Sequence, residues 1–176
     1  MDDDTHIIDV CNSTGRYRIG RSKVINMAQV LMNAFGLYGY CLSISFVNPS
    51  QIKKLNSKYR SKNKSTDVLS FAQIRWKKPL RPTDSAIDHE LKILGDIVIS
   101  PKDAQQRNPK LDEEVGFLLV HGFLHLCGYD HLKTKDKLTM EKAQKSMLNL
   151  LVVSSGNRYP MWHKCISIKT KPKKGN

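Results

Sequence analysis

His121-Gly-Phe-Leu-His125-Leu-Cys-Gly128-Tyr-Asp-His131 packs three of the chain's six histidines into eleven residues. Upstream lie Asp112, Glu113 and Glu114 and then the apolar run Val115-Gly-Phe-Leu-Leu-Val120. That order reads as a helix capped by Asp112, carrying acidic groups in its first turn and running to Gly128. Residues i and i+4 of an α-helix differ by about 40° in azimuth, so His121 and His125 stack on one face. A third group farther up a straight helix would move away from them. Gly128 removes that obstacle, because glycine after a helical run enters the left-handed region easily and turns the chain. Three residues later His131 can return towards the first two.

Two imidazoles at this spacing form half of a zinc site, and His131 supplies a third neutral ligand. Three neutral ligands leave Zn²⁺ its full charge and an open fourth position. Such a site lowers the pKa of a bound water to around 7 and is catalytic in form. The spacing H-x-x-x-H-x-x-G-x-x-H is that of metzincin zinc proteases. The position after the first histidine, where those enzymes carry a general-base Glu, is Gly122. Peptide hydrolysis needs a group to carry the water proton to the leaving amine, and glycine cannot. Cleavage of a phosphodiester instead needs extra negative charge neutralised, which a metal and a cation can do. Cys127 falls about 200° round the helix from His125 and reads as a core thiol rather than a ligand. Asp130 is either an acceptor for a ligand imidazole N–H or a turn residue; the former is favoured.

Working outward, Ile7–Val10 reads as a short strand, and a helical stripe runs from Ser22 to Phe35. Residues 41–47 alternate as a half-buried strand, Pro49 and Ser50 open a second helix, and 68–74 and 93–99 are further strands. Residues 76–90 form a long polar loop, and a last amphipathic helix runs from about Lys135 to Val153. The expected fold class is α+β: a small mixed β-sheet packed with helices in a single domain over 1–153. Residues 154–176 read as a basic, flexible tail.

The 176 residues carry 29 Lys+Arg against 16 Asp+Glu, a formal charge of +13. It is unevenly spread: +9 over 51–81, −5 over 82–130 and +6 over 154–176. Two basic blocks in one protein of pI about 9.7 fit a nucleic-acid binder, although charge alone does not tell RNA from DNA or from an anionic membrane. No apolar run approaches the ~20 residues that span a bilayer. Met1-Asp-Asp-Asp4 has the wrong sign for a secretory or transit leader, and the four cysteines show no disulfide-framework spacing. A reducing compartment, the cytoplasm or an organelle, is expected.

With these residues in view, the chain resembles the YbeY family of metal-dependent endoribonucleases, the rRNA maturation factors. The family's H-G-x-L-H-L-x-G-[YF]-D-H signature matches residues 121–131. Asn56-Ser-Lys-Tyr59-Arg60, Ser65-Thr-Asp67-Val-Leu-Ser70-Phe71 and Leu94-Gly-Asp-Ile97 match further signatures. The resemblance implies a zincin-like fold and zinc, or another divalent metal, held by His121, His125 and His131. It implies hydrolysis of single-stranded RNA, with His121 and Arg60 as catalytic residues. It also implies maturation of the small-subunit (16S) rRNA 3′ end and ribosome quality control in the cytoplasm. The partners would be rRNA and the small ribosomal subunit, with ribosomal proteins or assembly GTPases besides, and no membrane. A guanidinium ending a helix inside the +9 segment suits a phosphate clamp. Asp67 and Ser70 either line the cleft or serve the start of their strand. The chain departs from the family at Ala72, where Pro is usual, and at Gln144, where Glu is expected. Two other readings stay open: a ribosome-assembly binding factor with weak catalysis, and a metalloprotease, which Gly122 disfavours.

Overall fold

The computed structural model describes residues 6–82, 84 and 91–155. They form β1 (Ile7–Asn12), α1 (Arg21–Ala34), β2 (Tyr40–Phe46), α2 (Pro49–Arg60), β3 (Val68–Ala72), β4 (Lys92–Ile99), α3 (Pro101–Arg107), α4 (Leu111–Leu126) and α5 (Thr134–Ser154). The sheet order is β1-β2-β4-β3; β1, β2 and β4 run parallel, and β3 joins as an antiparallel edge. The α+β expectation therefore holds for a single small domain with a mixed sheet.

Period-two patterning sets each strand's inner face. In β2, Tyr40, Leu42, Ile44 and Phe46 are buried and the residues between them half-buried. The large core beneath them takes the apolar stripes of α1, α4 and α5. A smaller core on the other face joins Ile52 of α2 to Leu69 of β3 and Val98 of β4, with Leu55 and Phe71 against it. The two sheet faces thus hold different helices: α4 on one and α2 on the other. Within β3 the alternation continues, since Val68 packs with the large core while Leu69 and Phe71 join the small one.

Two close approaches fix α4 against this sheet. A Cβ added at Gly122 would lie 3.0 Å from Ile97 Cγ2, so the glycine lets the helix sit directly on β4. At Gly95, with φ +150°, a Cβ would lie 2.9 Å from Leu126 Cδ2 of α4 and would meet the Phe71 carbonyl oxygen of β3 at a distance no side chain tolerates. Gly95 follows a β-bulge: Ile93 pairs with Cys41 and Gly95 with Leu42, leaving Leu94 as the extra residue.

Several local readings need correction. Residues 101–107, to which the sequence reading assigned no element, form α3, with Pro101 at its start and only Ala104 buried beside it. The N-cap of α4 is Lys110, not Asp112; Asp112 lies inside the first turn and takes the Lys23 ammonium at 2.7 Å. The loop after β3 is not merely polar. Leu80 is buried and donates its N–H to the Cys127 carbonyl, and the Trp76 indole donates to the Leu126 carbonyl at 2.8 Å. These two bonds satisfy carbonyls that the end of α4 would leave bare. The expected tail, 154–176, lies outside the described residues from 156 onward.

Candidate metal centre and adjoining cavity

His121 and His125 project from the last turns of α4 as the i, i+4 spacing requires, their ring centroids 4.8 Å apart. Gly128 turns the chain at φ +86°. His131 comes back so that its ring lies 5.6 Å from that of His121 and 5.1 Å from that of His125. One ligand atom from each of the three lies within 4.8 Å of the others. His121 and His125 are half-buried, and His131 is exposed on the solvent side.

The hydrogen bonds behind the rings decide what this cluster is for. His125 Nδ1 lies 3.0 Å from the Tyr129 carbonyl, which can only accept, so Nδ1 carries the proton and Nε2 a lone pair. His121 Nδ1 faces Gln144 Oε1 at 3.2 Å and is held in the same tautomer. The two bare Nε2 atoms then face each other at 3.2 Å. Two lone pairs at that distance repel unless a cation lies between them. Metal–nitrogen bonds of about 2.0–2.1 Å in a tetrahedral shell put ligand nitrogens roughly 3.3–3.4 Å apart. The donor set therefore fits a divalent metal such as zinc. Burial lowers both histidines' pKa values, with a hydrogen bond to Gln144 opposing it at His121 and the neighbouring imidazoles adding to it at His125, which falls to about 4. Both rings are thus neutral at pH 7, the state a ligand needs.

Tyr129 and Gln144 are the partners that orient the ligands. Sequence reading missed the Tyr129 carbonyl and noticed Gln144 only as a departure from a pattern. Asp130, the residue favoured for this task, instead accepts the N–H of His131 at 2.7 Å in a local turn. Cys127 is wholly buried, and burial holds its thiol protonated, so it is a core group and no ligand.

A cavity of about 280 Å³ opens beside His121 and His131, walled by α4, α5 and the start of β3. Asp67, just before β3, and Val68 at its start reach it. Asp67 accepts the Val68 N–H and pairs with Arg107, whose guanidinium also lies 3.5 Å from Glu114 and 5.7 Å from the Phe117 ring centroid. Of the two alternatives for Asp67, the structure shows both at once. Ser70 pairs with Ile97 in the sheet and does not line the cavity.

Arg60 ends α2, exposed, and is not among the residues lining the cavity. It lies on the opposite sheet face from α4, next to Tyr59, whose ring packs edge-on against Phe71 of β3 at 5.1 Å. The structure thus gathers the three histidines and leaves Arg60 across the edge strand from them. The neighbouring motif residue Asn56 is buried and fixes the chain reversal after α2, donating to the Lys64 carbonyl and accepting the Lys62 N–H.

Comparison with known proteins decides the family: residues 9–152 match the family pattern described as Endoribonuclease YbeY. The chain belongs to the YbeY family. A relative named Endoribonuclease YbeY from Finegoldia magna is 40% identical over 113 residues, 62% of this chain and 67% of its own length. One of the same name from Bacillus licheniformis is 34% identical over 157 residues, 81% of this chain and 93% of the relative. The solution structure of TM1509 from Thermotoga maritima shares the fold at a TM-score of 0.53 and 22% identity, covering 96% of this chain and all of that one. Among the described residues no helix is long and apolar enough to cross a membrane.

Proposed function

We infer that this YbeY-family chain is a metal-dependent endoribonuclease that hydrolyses single-stranded RNA, with zinc as the resident ion, on a zincin-like fold. The observation that carries the reading is the pair of bare Nε2 atoms at 3.2 Å, each fixed by a committed Nδ1–H behind it. A divalent ion held by His121, His125 and His131 would supply Lewis acidity at a phosphoryl oxygen and a lowered pKa for bound water. The chain's own residues do the rest. Gln144 and the Tyr129 carbonyl aim the imidazoles, and Arg60 neutralises phosphate charge on a strand passing over the β3 edge. The lysines of α2 and the loop after it hold that strand by charge.

The same packing speaks against peptide hydrolysis. A Cβ at position 122 would lie 3.0 Å from Ile97 Cγ2, so a side chain there needs Ile97 to give way, and Gly122 itself offers no carboxylate to act as general base. The +13 charge suits a polyanionic substrate, and rRNA of the small ribosomal subunit, matured at its 3′ end in the cytoplasm, is the proposed one. Elemental analysis of the purified protein should return one zinc per chain. Labelled single-stranded RNA should be cut by it, and the cut abolished by chelator or by His121→Ala. Cleavage that survives His121→Ala would overturn the assignment of the cut to the histidine centre, and no cleavage by the parent would favour an assembly factor. Arg60→Ala should slow cleavage while leaving the zinc content at one per chain.

A further inference from the structure

The cavity beside the histidines has a chemistry that the metal does not use. One side is an aromatic wall, Phe117 and His121, one turn apart on α4 with rings only 10° from parallel. Met140 and Leu148 of α5 face it, so most of the lining is apolar. Into this space reaches one polar side chain that is 91% buried, Gln144. Its Oε1 is engaged by His121, whereas no hydrogen bond to its Nε2 exists among the described residues. That nitrogen is not sealed off either, since among the described residues the one wholly buried side-chain atom lacking a hydrogen-bond partner is Glu114 Oε1. A side chain that lines the cavity thus keeps two N–H donors uncommitted. At the rim stand Lys137 and Lys145, the latter without an ion-pair partner among the described residues.

We propose that this cavity takes one unpaired nucleobase of the RNA strand, that of the nucleotide adjoining the phosphate to be cut. The proposal rests on the endoribonuclease reading and deepens it. A planar ring with an acceptor on its edge matches an aromatic wall with a single amide donor opposite, and the rim lysines meet the phosphates on either side. At about 280 Å³ the cavity lies just under the usual ~300–1,000 Å³ of small-molecule sites, room enough for one base. Every nucleobase carries an edge acceptor for Gln144, so selection falls on strandedness rather than on sequence. A base in a duplex would have to leave its stack and its partner to enter.

Two experiments on the full, zinc-loaded chain test this. In the first, abasic residues are walked one at a time through a labelled single-stranded RNA. Loss of one base–aromatic contact is expected to lower kcat/KM about ten- to hundredfold at a single position flanking the cut. A profile flat to within twofold would overturn the base subsite while leaving the nuclease assignment standing. Failure of the intact RNA to be cut would instead count against the nuclease assignment, and the second experiment then decides the cavity alone. There, ¹³C-methyl methionine protein is titrated with uridine 5′-monophosphate and, separately, with ribose 5-phosphate. The Met140 methyl, assigned with Met140→Leu, is expected to shift with the nucleotide and stay with the sugar phosphate, while Met27 and Met32 stay with both. An unmoved Met140 methyl, or one moved equally by ribose 5-phosphate or by N-acetyl-leucinamide, would overturn the proposal.

Discussion

Gln144 of α5 places its Oε1 against His121 Nδ1 and holds that ring's tautomer. Gln144→Leu leaves the His121 Nδ1–H unpaired in a half-buried place. Zinc affinity should fall about 10- to 100-fold, read by competition with a chromophoric chelator. Gln144→Glu, a stronger acceptor, should bind zinc at least as tightly as the parent. A second residue-scale prediction concerns Glu114. Burial raises its pKa, and the Arg107 guanidinium 3.5 Å away opposes this without cancelling it. A carboxyl with a raised folded-state pKa binds its proton more tightly when folded. Its contribution to stability is therefore present below the ordinary value of 4.5 and is lost as pH rises through the folded value. Glu114→Gln should remove that loss, so the difference in Tm, variant minus parent, should grow between pH 4.5 and 7. The clustering of the three histidines was legible in the sequence because helix period and one glycine decide it within eleven residues. Gln144 was not, because its role depends on α5 packing beside α4, and Asp130 misled because its shorter bond to the next N–H was available first.

At the scale of elements, the legible parts were those with a strong period: β2, α2, α4 and α5 appear within a few residues of where patterning places them. The helix α3 escaped because seven residues with one buried alanine carry no stripe. The loop after β3 looked polar because its two anchors, Trp76 and Leu80, stand alone among charges. The Leu94-Gly95-Asp96-Ile97 motif acquires a physical reason only in the fold, where Gly95 lets β3 close on β4 beside a bulge. Gly95→Ala forces a methyl into the Phe71 carbonyl and should cost about 3 kcal/mol or more, measured as a lower urea midpoint at unchanged m.

For the whole molecule, the three histidines are joined by only a short piece of chain, 121–131, so a metal held there would close a small loop and join no distant elements. The core of α1, α4, α5 and the sheet exists without it. Removing zinc should leave the far-UV circular dichroism unchanged and lower Tm. Free zinc at 100 times Kd should restore about 2.7 kcal/mol. The charge pattern gives a further whole-molecule prediction. Lys53 and Lys54 form no ion pair among the described residues, and Lys58 lies over the Tyr59 ring. Replacing all three with Ala should flatten the dependence of log Kd on log salt for single-stranded RNA by about 0.7 per lost phosphate contact, with zinc content unaltered.

The bond from the Trp76 indole to the Leu126 carbonyl has an optical consequence. It ties one of the chain's two tryptophans to the residue directly after His125. The emission colour of Trp76 is therefore a gauge of whether the last turn of α4 is closed. In a Trp162→Phe background that colour would follow loosening of the metal-bearing turn in real time, with no label attached.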